Sequence, residues 1–268
     1  MTTTANIDTV KTPRIHYSIL THSNPKLHKS VEYGFLTAGL HLAPYKSAGI
    51  PDFNMCPNAS PGCIKACLNR SGRGAYDRTQ AARKMRSWLF VTSNPVFMEN
   101  LNNDLLRLRN AAHSNILRPA CRLNTTSDIP WEDYIAIFKQ NHDIQFYDYT
   151  KSLQRYLLFI GGRFPKNYHL VFSRSEINDE DVGHVLRVNG TITVVYKDNG
   201  HTAFEETKIK LRKRLIKMFG KDAILGKRII NGDIHDLTFL HRKGTIIALK
   251  AKGPATKDES GFVIHLED

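Results

Sequence analysis

Residues 143–196 read DIQFYDYTKSLQRYLLFIGGRFPKNYHLVFSRSEINDEDVGHVLRVNGTITVVY, and they carry the clearest pattern in the chain. Three short apolar runs, at 143–147, 168–172 and 191–196, are separated by stretches with helical periodicity. Apolar runs that alternate with helical stretches are typical of βαβ units, in which consecutive strands lie parallel. This stretch therefore predicts an α/β fold built on a parallel sheet.

The same alternation continues on both sides of this stretch. Before it, 33–42 and 116–123 read as strands, and 78–108 reads as one or two helices interrupted around Ser93-Asn94-Pro95. After it come a basic helix and two further strands, at 207–219, 228–230 and 245–249. About seven strands with intervening helices predict a parallel (β/α) barrel, a partial or distorted TIM-like one. We expect a loose N-terminal tail at 1–14 and a single domain over 15–268.

Composition narrows the class of protein. The chain has 268 residues and a net charge of +13, which favours acidic partners such as nucleic acid. No apolar run reaches the roughly 20 residues that a membrane helix needs, and the first residues lack the pattern of a signal peptide. We therefore expect no membrane partner and a cytoplasmic location, in the host cytoplasm if the chain is phage-encoded. The oligomeric state stays open.

Polar side chains follow most of the predicted strands directly. Ligands of parallel α/β folds bind at the carboxyl ends of the strands, so these side chains are candidates for one binding site. Helix capping is the alternative explanation for the acidic and hydroxyl side chains. It does not explain Arg122, Lys151 and Arg174, because the helix dipole disfavours cations beside helix N-termini. The candidate cofactor- and substrate-binding residues are Arg122, Asn124, Asp128, Asp148, Lys151, Arg174, Glu176 and Asp233.

Three of the four cysteines lie in one loop after the first predicted strand, with the spacing C-x6-C-x3-C: Cys56, Cys63 and Cys67. Clustered cysteines in a reducing compartment indicate a metal site more than disulfides. Thiolates suit zinc and iron–sulfur clusters. Three thiolates without a fourth ligand nearby suit a [4Fe–4S] cluster that keeps one iron open to a small-molecule ligand.

Two alternatives remain for these cysteines. Structural zinc takes four protein ligands, so a zinc site would need His41, His235 or Asp128 to complete it. Three ordinary buried cysteines are the other alternative. The lone Cys121 lies in an apolar stretch and is predicted to pack in the core.

Several segments in chain order resemble one family. They are CPNASPGCIKACLNRSGRG, RLNTTSDIPWE, QFYDYTK, YHLVFSRSE, INGDIHDLTF and IIALKAKGPA, and they span residues 30 to 265. Together they are similar to the gene-product-eighty-eight family of phages and mobile elements, which has no firmly assigned activity.

A cysteine-bearing loop after the first strand of a parallel barrel also resembles the radical S-adenosylmethionine superfamily. That resemblance implies that Cys56, Cys63 and Cys67 hold a [4Fe–4S] cluster whose open iron takes S-adenosylmethionine. The superfamily's usual spacing is C-x3-C-x2-C, shorter than here, and its Gly-Gly-Glu-like segment is replaced by residues 124–128. The expected function is accordingly a radical-type S-adenosylmethionine enzyme.

The alternative is a non-enzymatic, cluster-bearing protein that binds nucleic acid or regulates. Its support is the basic helix, whose apolar residues fall roughly on one side and leave the cations facing outward. Those cations are Lys208, Lys210, Arg212, Lys213, Arg214 and Lys217.

Overall fold

The structure is a computed structural model that describes residues 18–21, 29–198 and 203–266. The predicted tail at 1–14 lies outside these residues. The strands of the described part are β1 Leu20–Thr21, β2 Phe35–Leu40, β3 Arg118–Arg122, β4 Gln145–Thr150, β5 Tyr168–Ser173, β6 Ile192–Lys197, β7 Ile229–Asn231, β8 Ile246–Lys250 and β9 Val263–His265.

Helices connect most of these strands. The α-helices of the same residues are α1 Pro61–Lys65, α2 Asp77–Thr92, α3 Asn94–Ser114, α4 Ile135–Gln140, α5 Leu153–Ile160, α6 Asp179–Arg187, α7 Phe204–Phe219 and α8 Lys221–Ile224. Short 3₁₀ helices lie at Lys29–Tyr33, Leu68–Arg70, Gly72–Ala75, Trp131–Asp133, Thr238–Leu240 and Gly253–Lys257. No described helix is long and apolar enough to cross a membrane.

The nine described strands form one mostly parallel sheet. Their order is β1-β2-β3-β4-β5-β6-β8-β7, with β9 paired to β6, and only the β1–β2 pair is antiparallel. This confirms the predicted α/β class and the parallel sheet. The predicted barrel is not confirmed, because among the described residues no strand pairing joins β7 back to β1 and the sheet stays open. The cysteine loop follows β2, which is the second strand and the first of the parallel series.

The two faces of the sheet are covered differently. Alternate strand residues such as Ala38, Phe146 and Leu170 join one large core with apolar residues of the helices. The residues of opposite parity form smaller clusters on the other, inner face: Phe35, Ala120 and Tyr147 pack there against Leu237. Side chains alternate between the faces of a strand, so this division follows from the period of two in the sequence.

The segment between β7 and β8 covers the inner face. Neighbouring parallel strands require the chain to return from one edge of the sheet to the other. Here the return crosses the inner face, where the Phe239 ring lies 5.4 Å from Tyr147 and 5.1 Å from Phe35. No pattern in the sequence indicates this path.

Strand β9 pairs with the second half of β6, beyond the point where β5 ends. Strand β5 pairs with the first half of β6 and ends at Ser173, and β9 pairs with β6 over Val195–Lys197. The Arg174 side chain donates to the carbonyls of Gly261 (2.5 Å) and Phe262 (3.1 Å), which fixes the chain leading into β9. This arrangement brings the C-terminal segment against the cysteine loop.

Candidate metal centre

The cysteine loop lies at the carboxyl edge of the parallel strands. It leaves β2, runs through residues 41–60 and forms the short helix α1, which carries Cys63, before reaching Cys67. Cys63 packs with Ala66, Phe262 and Val195, and Val195 belongs to the inner face of β6. The loop is therefore held between the edge of the sheet and the C-terminal segment. This is the edge at which parallel α/β folds bind ligands.

Glu176 fastens the start of helix α1. Its carboxylate accepts hydrogen bonds from the Ser60 hydroxyl and the Gly62 N–H, both at 2.6 Å. Ser60 in turn caps the helix by accepting from the Cys63 N–H at 3.1 Å. A carboxylate is favourable at this end of a helix because the first N–H groups have no partner within it. Glu176 thus orients the segment that carries Cys63.

The Cys56 thiol is held by backbone groups. Its Sγ accepts from the Tyr45 N–H at 3.3 Å and donates to the Thr126 carbonyl at 3.6 Å. The pKa of Cys56 is raised to about 12, mainly by burial; the hydrogen bond from the Tyr45 N–H lowers it, and the charges of Asp128, Cys67 and Cys63 add smaller upward contributions. A pKa raised in this way favours the protonated thiol, and a bound cation would favour the thiolate.

Cys67 has cations beside it. Burial raises its pKa, whereas a hydrogen bond from the Asn69 backbone and the charges of Lys151 and Arg83 lower it. The Lys151 ammonium donates to the Ser173 hydroxyl at 3.1 Å and has no carboxylate within ion-pair distance in the described residues. Positive charge at this position favours the thiolate, which is the form that binds metal.

Further cationic side chains, which were not among the predicted site residues, lie near the cysteine loop. Arg83 is only 7% exposed and donates to the carbonyl and the side-chain oxygen of Asn69, with no ion pair among the described residues. The pKa of His41 is lowered to about 3, mainly by burial and then by the charges of Arg83, Arg122 and Arg86. No sequence signal could have identified Arg83, because it looks like one of several exposed cations on a basic helix.

Asp128 links the cysteine loop to strand β4. Its N–H donates to the Met55 carbonyl at 2.8 Å. Its carboxylate pairs with Arg155 at 2.5 Å and accepts from the Lys151 N–H at 3.0 Å. Arg155 also pairs with Glu132 at 2.6 Å. Asp128 therefore has its charge neutralised by protein groups and braces the residue before Cys56.

Three other predicted residues make ion pairs within the fold. Arg122 pairs with Asp236 at 2.8 Å and lies over the Tyr149 ring. Arg174 pairs with Asp179 at 2.7 Å, and Asp233 with Lys252 at 2.7 Å. The expectation that Arg122 and Arg174 need an anionic ligand is weakened, because each already has a carboxylate partner.

Asn124 and Asp148 form a buried network on the helix side of the sheet. The Asn124 side-chain oxygen accepts hydrogen bonds from the Ile129 N–H, the Ser127 hydroxyl and the Trp131 indole N–H. The backbone N–H of Asn124 donates to the Asp148 carboxylate at 2.6 Å. Asp148 also accepts from the Tyr168 hydroxyl at 3.0 Å, and burial raises the pKa of Asp148 to about 7. Both residues are saturated by internal partners. Of the eight predicted binding residues, the structure brings Asp128, Lys151 and Glu176 to the cysteine loop.

No set of three or more His, Cys, Asp or Glu side chains in the described ranges is arranged to hold a single metal ion. The imidazole of His41 interacts with the Thr21 hydroxyl at 2.9 Å. The ring of His235 lies against Tyr33 and His241. Both histidines proposed as a fourth zinc ligand thus have neighbours elsewhere in the fold.

The basic helix α7 uses several of its cations internally. Lys208 pairs with Glu205, Lys210 lies 4.0 Å from Asp198, and Arg212 donates to two backbone carbonyls. Lys213 and Lys217 are exposed, and Arg214 is partly buried. The helix therefore presents a weaker positive face than its sequence indicates.

Fold and site together define an α/β protein with a three-cysteine loop at the carboxyl edge of a mostly parallel sheet. The chain belongs to the gene product 88 family, whose model matches residues 18–266. A search of curated proteins and a search of solved structures found no match.

Proposed function

We propose that the chain binds a [4Fe–4S] cluster through Cys56, Cys63 and Cys67 and leaves one iron open to a small-molecule ligand. The observation that carries this proposal is the C-x6-C-x3-C spacing in one loop, which Glu176 anchors at the carboxyl edge of the parallel strands. The donor set fits such a cluster, since thiolates are its usual protein ligands. The cations beside Cys67, the buried Arg83 and the half-buried Lys151, fit the negative charge that three thiolates would bring.

The reaction we propose is of the radical S-adenosylmethionine type. When bound, the cluster and S-adenosylmethionine would supply the one-electron chemistry, as cofactors do in general. The chain's own residues supply position and charge: Glu176 and Asp128 fix the loop, and Lys151 and Arg83 offer cations for an anionic group beside Cys67. The substrate would bind at the carboxyl edge of the strands beside the cysteine loop, because Leu237 and Phe239 already fill the inner face.

Zinc is the lesser alternative for the same thiols, and a non-enzymatic, cluster-bearing protein is the alternative for the function. Metal analysis distinguishes zinc from the cluster. An assay of S-adenosylmethionine cleavage distinguishes the non-enzymatic protein from the radical enzyme. Neither alternative changes which three residues bind the metal.

The test is anaerobic purification followed by iron, sulfide and zinc analysis of three proteins. The wild type and a Cys121→Ala variant should carry about four irons and four sulfides per chain. A triple Cys56/Cys63/Cys67→Ala variant should carry none. About one zinc and no iron in the wild type would contradict the cluster proposal.

A further inference from the structure

A cationic cavity lies at the edge of the sheet opposite the cysteine loop. It has a volume of about 300 Å³ and sits where the chain enters β7 and β8. Its wall residues include Lys227 and Arg228 just before β7, Arg242 and Lys243 before β8, and Asn189 after α6. None of the residues that line it is acidic.

The four cations of this cavity have no carboxylate within ion-pair distance in the part of the chain that the structure describes. Arg228, Arg242 and Lys243 are exposed. The pKa of His241 is lowered to about 4, mainly by burial and then by the charges of His235 and Arg228. Like charges gathered in one concave site repel one another, and a bound anion would relieve that repulsion.

The walls of the cavity are held in place by internal hydrogen bonds. Lys227 donates to the Asn189 side-chain oxygen at 2.7 Å. Arg212 of helix α7 donates to the Lys227 carbonyl, also at 2.7 Å. Gly244 has a φ of +76°, and a Cβ there would lie 2.0 Å from the Asn189 oxygen, so glycine is required for this close approach. A fixed site loses less entropy on binding than a mobile one.

We propose that this cavity binds the phosphodiester backbone of nucleic acid. Its lining contains no aromatic ring on which a base could stack, so contact to phosphates rather than to bases fits it. The exposed Lys217 and Lys221, on the chain that leads into the cavity, extend the positive surface. This inference uses other residues than the metal proposal and does not depend on it.

The test measures binding of a fluorescein-labelled DNA duplex of random sequence by anisotropy across a range of salt concentrations. The variant is Arg242→Gln/Lys243→Gln, in which both changed side chains are exposed. Removing two phosphate contacts should lower the slope of log affinity against log salt by about 1.8. Starting from equal affinity at about 1 M salt, this change of slope makes the Kd of the variant at about 0.1 M salt weaker by about 60-fold.

The control is Lys46→Gln/Lys84→Gln, which removes the same charge from exposed lysines outside the cavity. It should keep the wild-type slope and Kd. Circular dichroism melts check that both variants fold. Arg228→Gln is a second variant that removes a positive charge from the cavity wall, and it should also weaken binding. Three outcomes would overturn the proposal: an unchanged cavity variant, an equal loss in the control, or no duplex binding by the wild type at low salt.

Discussion

Replacing Glu176 by Ala should loosen the cysteine loop and reduce the amount of bound metal. The Glu176 carboxylate accepts from the Ser60 hydroxyl and the Gly62 N–H, both at 2.6 Å. Ser60 is fully buried, and the same hydroxyl accepts from the Cys63 N–H. The variant leaves the Ser60 hydroxyl without its acceptor and the Gly62 N–H without a partner, directly beside a proposed metal ligand.

The magnitude follows from these two hydrogen bonds. A hydrogen bond to a charged group contributes about 1.5–3 kcal/mol, so two give an upper bound of about 3–6 kcal/mol. Glu176 is half-buried, so water can replace part of what the carboxylate provided. We expect a loss of about 2 kcal/mol in the free energy of unfolding, and a Tm lower by about 4–8 °C. Glu176→Gln keeps one acceptor oxygen, so its free energy of unfolding and its Tm should lie between those of the wild type and of Glu176→Ala.

The assay combines a thermal melt with iron and sulfide analysis of protein purified without oxygen. The control is Glu259→Ala, because Glu259 is an exposed carboxylate of the neighbouring segment with no hydrogen bond among the described residues. The control should keep the wild-type Tm and metal content. If Glu176→Ala behaved like this control in both measurements, the assignment of Glu176 as the anchor of the loop would be refuted.

Three further predictions concern the surroundings of the loop. Burial raises the pKa of Asp148 to about 7, above its ordinary value, so its contribution to stability is complete below about pH 4 and is lost as the pH rises through 7. Asp148→Asn should remove up to about 4 kcal/mol of the change in the free energy of unfolding between about pH 4 and 8, measured by urea unfolding. A variant whose free energy of unfolding depends on pH as the wild type's does would contradict this. Arg155→Met leaves Asp128 and Glu132 buried without their cation and should cost about 3–5 kcal/mol in the same assay, whereas a loss below about 1 kcal/mol would refute the network. Cys121→Ala, at a fully buried position, should cost about 1 kcal/mol and leave the iron content unchanged, and iron lost with Cys121 would show that the ligand set is wrong.

The fold class could be predicted because the parallel strands carry a strong local signal. The apolar run at 168–172 became β5 Tyr168–Ser173, and the interruption at Pro95 separates α2 from α3. Helix α6 begins only at Asp179, six residues after β5 ends, because Arg174 and Glu176 make contacts with distant segments. Local pattern fixes which elements exist more firmly than where they end.

The elements that the sequence reading missed are short and depend on tertiary contacts. Strand β1 has two residues and β9 three, too few for a period of two to be recognised. The path of Leu237 and Phe239 across the inner face depends on side chains of β2, β3 and β4, which are more than 80 residues earlier in the chain.

The cysteine loop could be predicted from the sequence, whereas the side chains that hold it in place could not. The spacing of the three cysteines is visible in the sequence, and so are the polar residues after each strand. Which of those residues face the loop is decided by pairing: Arg122 and Arg174 have carboxylate partners, whereas Lys151 has none in the described residues and remains beside Cys67. Arg83 gave no signal, because a buried arginine and an exposed one look alike in sequence.

The most direct test of the central claim is low-temperature electron spin resonance of the anaerobically purified, reduced protein, with and without S-adenosylmethionine. The account predicts the signal of a reduced [4Fe–4S] cluster, absent from the triple Cys56/Cys63/Cys67→Ala variant, whose g-values shift when S-adenosylmethionine binds the open iron. A protein that holds zinc and gives no iron signal would contradict the cluster. A cluster signal that S-adenosylmethionine leaves unchanged would contradict the open iron and the radical chemistry.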